Sequence, residues 1–282
     1  MESTPEPMEE FVQMMIFLFS QSRAVFLALE ALTFLFMMTR IYDGASALGV
    51  LIVFLIGSLI AILGAGFYAG MLHHRFLLVL YSLKRPDDFI RVYEPLLSSK
   101  WIPSNVRFTI NAYLSNGYAA KGDFSRAREL LDNAPKTAKN RKNDCDLILC
   151  GNRANIALFE GAATEAEAQL QTMEQLIASS AMDAQKRSLQ QAILKTLRAQ
   201  LHILSGECHI QDCDLLREES KKPGSALRRT ELSYFIGKAY MHLEQPALAR
   251  EYLEDAAASK ELHAGRLAAN ALRTLTSSSR NK

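Results

Sequence analysis

The stretch Ala45–Leu72 constrains this chain more than any other. It runs for 28 residues without a charged side chain, between Asp43 and the polar triplet His73-His74-Arg75. A helix rises about 1.5 Å per residue, so roughly 20 apolar residues cross a hydrocarbon layer about 30 Å thick. A helix of this length in a soluble core would carry a polar face. The stretch reads as a transmembrane span.

Residues 11–38 form an earlier apolar segment, interrupted by Gln21-Ser22-Arg23 and carrying Glu30. Two arrangements fit it. Residues 24–39 cross the bilayer and pair with the span at 45–72 as a hairpin, with Arg23 and Arg40 snorkelling at the ends. Alternatively, the segment lies flat and only the second stretch crosses. The hairpin is the expected arrangement, because Asp43-Gly44 supplies turn chemistry between the two. Glu30 is the one ionisable group at lipid depth, where a carboxylate must face another helix or hold its proton. It reads either as an interfacial or internally bonded acid, or as a functional intramembrane acid. The acidic start MESTPEPMEE lacks the basic leader of a signal peptide and is expected to be a disordered tail over 1–10.

Small residues recur along the second span at Gly57, Ala61, Ala65 and Ala69, with Gly66 and Gly70 beside them. Steps of four share one helix face and let another helix approach closely. That neighbour is the first segment, a second copy, or another membrane protein. Arg75, Lys84 and Arg85 follow the second span, which places the remainder of the chain in the cytoplasm by the positive-inside rule.

From residue 76 the pattern is all-α, with short turns and almost no strand alternation. In Asn111–Pro135 two helices meet at Lys121-Gly122-Asp123, where Gly122 can end the first and Asp123 cap the second. Leu114, Tyr118, Gly122, Phe124, Ala127, Leu131 and Ala134 carry small and large apolar residues at fixed offsets. In these residues the chain resembles the tetratricopeptide repeat, a helix–turn–helix unit of about 34 residues. Ser115 stands where that motif prefers Gly, and Asn111 where it prefers Trp. The pattern returns around Asp88-Phe89, at Gly161, Ala166 and Leu170, and at Ile236, Gly237, Tyr240, Ala249 and Leu253. It is faintest over Ala184–Leu204 and Cys213–Ser220. The basic linkers Lys136–Asp144 and Lys221–Ser225 lengthen the spacing.

The resemblance implies an irregular helical solenoid over 76–276, closed by a helix over Gly265–Leu275 and followed by a short tail at 277–282. It also implies a groove lined by the first helix of each unit. The corresponding positions are Ala112 and Asn116, then Gly151, Asn152 and Asn155, then Thr196 and Gln200, then Tyr234 and Lys238. Amides at such positions suit hydrogen bonds to a peptide backbone.

No phosphate loop, zinc-protease helix or serine-nucleophile elbow occurs in the sequence. Cys145/Cys150 and Cys208/Cys213, near His202 and His209, are spaced too widely for structural zinc; a five-residue helical offset points side chains about 140° apart. With 32 basic against 30 acidic residues, nothing in the charge balance points to nucleic acid. The expectation is therefore a non-enzymatic protein without a cofactor or metal. It is anchored as a multi-pass protein in a membrane, with the bacterial inner membrane as the expected setting. Its partners are the bilayer and a protein or peptide in the repeat groove, with self-association through the second span a further option. The alternative is a non-catalytic subunit of a membrane enzyme or transporter complex, bound through the hairpin.

Overall fold

The computed structural model describes residues 22–97, 104–135 and 142–280, which are helical throughout and contain no strand. The acidic tail expected at 1–10, the start of the first apolar segment and most of the linker at 136–144 lie outside the described residues. The chain divides into two compact units, Met1–Leu78 and Val79–Lys282.

The first unit holds α1 (Ser22–Tyr42) and most of α2 (Ala47–Tyr81). Gly44, at φ 75, ends α1. Its N–H donates to Ile41 O, and the next N–H, from Ala45, reaches back to Arg40 O. This is the paired-bond ending that a left-handed residue permits. Ser46 then accepts from Gly49 N at 3.2 Å and caps α2.

The two helices run antiparallel, as three contacts show. A Cβ on Gly57 would lie 2.2 Å from Thr33 Cγ2, and one on Gly64 3.4 Å from Leu29 Cδ1. Between them Ser58 Oγ donates to Glu30 Oε2 at 3.2 Å. Ala61 is wholly buried, so part of the small-residue stripe faces α1. Gly66 and Gly70 do not share this contact, since a Cβ at either would meet nothing within 4 Å. Ala65 is half-buried, and the side chain of Ala69 lies outside the described residues. Large apolar residues face outward all along the pair, including Leu27, Leu35, Leu55, Leu59, Leu63 and Phe67.

The second unit begins in α2, which runs on to Tyr81. It continues through α3 (Pro86–Leu97), α4 (Ser104–Lys121), α5 (Phe124–Asp132), α6 (Lys142–Glu160) and α7 (Ala163–Ser179). Beyond these come α8 (Ala184–Ser205), α9 (Ile210–Lys221), α10 (Ala226–His242), α11 (Pro246–Ala257) and α12 (His263–Arg280). From α3 onward consecutive helices pack against one another, and α4, α6, α8 and α10 also touch in sequence. The final helix therefore reaches Arg280, past the boundary expected at 276.

A single device joins the helices of each pair: a residue in the left-handed region at the end of the first helix. The series is Lys84, Gly122, Gly161, Gly206 and Glu244, at intervals of roughly 40 residues. At Gly122, Gly161, Gly206 and Glu244 the hydrogen bonds repeat as well. Asp123 N reaches Tyr118 O, Ala162 N reaches Ala157 O, Glu207 N reaches His202 O, and Gln245 N reaches Tyr240 O. Asp123 caps α5 by accepting from Arg126 N at 3.1 Å, and Pro246 opens α11, where its missing N–H costs nothing.

Small residues set the spacing inside the pairs. Ala127, Ala166 and Ala249 are fully buried beside Leu131, Leu170 and Leu253. A Cβ on Gly237 would fall 2.6 Å from Leu253 Cγ, so α10 and α11 approach too closely for any other residue there. The last helix closes the second unit on itself. His263 stacks edge-on against Phe124, with ring centres 4.9 Å apart. Arg266 donates to Lys121 O, and Lys84 Nζ donates to Ser259 Oγ at 2.7 Å.

Candidate functional site

The first helices of successive pairs line a half-open cavity of about 260 Å³ in the second unit. Tyr81 contributes from the end of α2 and Asn116 from α4. Gly151, Asn152 and Asn155 line it from α6, Gln190 and Ile193 from α8, and Arg228 and Glu231 from α10. On α8 the positions 190, 193 and 197 all face it, the i, i+3, i+7 spacing of one helix face. Leu147, Met173, Leu197 and Leu227 make the apolar part of the wall.

Three of the amides anticipated from the repeat pattern therefore meet in one place. Asn116 Nδ2 donates to Tyr81 OH at 3.0 Å, and Asn152 Nδ2 donates to Ala112 O at 3.4 Å. These bonds tie α2 to α4 and α4 to α6. Asn155 Oδ1 is sealed from solvent and accepts no hydrogen bond from the described residues. Buried acceptors are nearly always satisfied, so an orphan in a cavity wall marks a place for a donor. Gly151 sits mid-helix with nothing within 4 Å of its missing Cβ. Helix-interior glycine costs about 1 kcal/mol relative to alanine, and no neighbour requires it here.

The other anticipated positions lie elsewhere. Gln200 falls one turn beyond Leu197 on the same face of α8, but there the wall is shut; it is 1% exposed, and both its amide atoms lack partners among the described residues. Thr196 is equally buried and bonds back to Ala192 O at 2.9 Å. Tyr234 is buried against Phe159 and Phe235. Burial pushes its phenol up to about 12. Lys238 is half-buried outside the cavity, and desolvation lowers its ammonium from the usual lysine range.

Glu231 was not anticipated. It shares a helix face with Leu227, Tyr234 and Lys238, so its position was signalled by spacing; the repeat register pointed one turn too far along α10. Its carboxyl makes no hydrogen bond or ion pair with the described residues. Burial raises it to about 7, against a smaller opposing pull from Arg228. It also borders a second, much smaller cavity beside His263, Phe159 and Ala120.

The cysteine and histidine pairs make no such constellation. His202 Nδ1 lies 3.1 Å from Asp212 Oδ1, while Asp212 Oδ2 accepts from His209 N and caps α9. Cys213 is buried, and desolvation pushes its thiol up to about 12. Among the described residues, no three His, Cys, Asp or Glu side chains come together as a metal-holding group.

Comparison with protein-family models, with curated proteins and with solved structures gives no match to this chain.

Proposed function

We propose that this chain is a membrane-anchored helical-repeat scaffold that holds a protein or peptide segment in the cavity between its first helices. The hairpin of α1 and α2 sits in the bilayer, and the unit from Val79 onward works on the cytoplasmic side. The observation that carries the membrane half is the outward apolar surface of the hairpin. A soluble protein rarely leaves a contiguous apolar patch beyond a few hundred Å² open to water, whereas lipid solvates it at no cost. Both helices are long and apolar enough to cross.

The binding half rests on the amide-rich cavity, with its orphan acceptor and the vacant space at Gly151. Extended peptides are held largely through main-chain hydrogen bonds, which amide side chains can supply. Anchoring raises the local concentration of a partner at the bilayer, so modest contacts suffice. No group in the cavity is poised as a nucleophile with a base beside it, and the role proposed is non-enzymatic and cofactor-free.

Photo-crosslinking in native membranes tests this reading. A photoreactive residue at Asn152 or Gln190 of the full chain should trap the same partner from both positions, and one at Leu59 should trap lipid. Protein crosslinks confined to Leu59 would instead make the chain a complex subunit held through its hairpin.

A further inference from the structure

We infer that the cavity accepts a cationic side chain, lysine or arginine, from the segment it holds, with Glu231 and Asn155 as the acceptors. The inference deepens the scaffold reading and rests on it.

Three observations set the occupant's chemistry. Two of the cavity groups without hydrogen-bond partners among the described residues, the Glu231 carboxyl and Asn155 Oδ1, are acceptors. An ammonium or guanidinium supplies several N–H donors from one charged centre and accepts none. The remaining wall is aliphatic at Leu147, Ile193 and Leu197, which suits the methylene stem of such a side chain. The volume of about 260 Å³ lies just below the range of drug-sized ligand sites. It holds one long side chain with its adjoining backbone, for which the vacant space at Gly151 gives room.

Ionisation of Glu231 is part of the recognition. Its carboxyl is raised by burial, and an incoming cation replaces the lost hydration with a direct charge pair. Arg228 on the same helix, Tyr81 from α2 and His263 from α12 are the other ionisable groups in the walls of the two cavities it borders. Arg228 lies one turn away and forms no ion pair with Glu231, so the carboxylate remains available.

The test uses the full chain in nanodiscs and three neutral-ended tripeptides: acetyl-Ala-Lys-Ala-amide, its norleucine counterpart and its glutamate counterpart. Saturation-transfer NMR gives their affinities. The lysine peptide should bind at least ten-fold more tightly than the norleucine peptide at pH 8. Glu231→Gln should remove that advantage, and Gly151→Leu should weaken both peptides by filling the wall. In the unmodified protein the lysine advantage should shrink at least ten-fold between pH 8 and pH 5.5, a result that does not depend on any variant folding. Equal binding of lysine and norleucine overturns the inference and leaves the scaffold reading standing. Preference for the glutamate peptide overturns it in favour of Arg228 as the recognising group. Binding of none of the three also overturns it, and the crosslinks from Asn152 then decide the scaffold reading separately.

Discussion

Gly122 ends α4 at φ 91, and the space where its Cβ would stand is occupied by His263, whose Nδ1 would lie 2.6 Å away. The turn of an early helix pair is thus packed directly against the closing helix. Gly161 occupies the equivalent turn of the next pair at φ 79, yet a Cβ there would meet nothing within 4 Å. Alanine at either glycine costs about 1 kcal/mol for the left-handed conformation. Gly122→Ala should cost a further 1 kcal/mol or more, because His263 must leave Phe124. Thermal melts of the two variants measure the difference. Equal losses would mean that the closure contributes nothing to stability.

Glu244 performs the same turn without being glycine, at φ 54. Glu244→Gly relieves left-handed strain but adds freedom to the unfolded chain, two effects of similar size. Strain is the larger of the two, and the variant should be more stable by about 0.5 kcal/mol. Denaturant midpoints read this directly, and a destabilised variant would contradict it.

Ser115 is fully buried at the position where the repeat motif prefers glycine, and its hydroxyl has no partner among the described residues. Ser115→Ala removes a desolvated polar atom while preserving the packing around Leu114. Stability should rise by about 1 kcal/mol. A loss of that size would reveal a hydrogen bond at Ser115.

Glu231 gives stability a pH dependence of definite sign. Its folded value of about 7 lies above the ordinary 4.5, so between those values the folded chain holds a proton that the unfolded chain releases. This group's contribution is present at low pH and lost as pH rises through 7. Glu231→Gln should therefore leave stability nearly unchanged near pH 4 and raise it by on the order of 3 kcal/mol at pH 8. Melting both proteins across this range checks the sign, and a gain confined to acid would refute it.

How much of this was visible beforehand depends on how local the cause was. The turn at Gly122, the cap at Asp123 and the buried Ala127 and Leu131 follow from residues within one unit, and the structure shows each as expected. Asn116, Asn152 and Asn155 line one cavity, at the positions on α4 and α6 that the resemblance to the repeat implied. Gln200 and Tyr234 are buried outside it, since the face of α8 and α10 that opens on the cavity closes one turn further on. The contact between His263 and Phe124 was not legible at all. It depends on the summed rotations of every pair between them, and no short stretch encodes that sum.

In the hairpin, Gly57 and Gly66 make a matched comparison. Gly57→Ile drives a side chain into Thr33 and should separate α1 from α2, while Gly66→Ile enters open space and should not. Disulfide formation between cysteines placed at Glu30 and Ser58 reports the separation. It should fall several-fold for Gly57→Ile alone.

Alkaline carbonate extraction of the full-length chain from cell membranes measures directly whether α1 and α2 are anchored in lipid. With lipid around α1 and α2, the protein stays in the pellet at high pH and is released only by detergent. Recovery in the supernatant as a monodisperse particle without detergent would contradict the anchored scaffold.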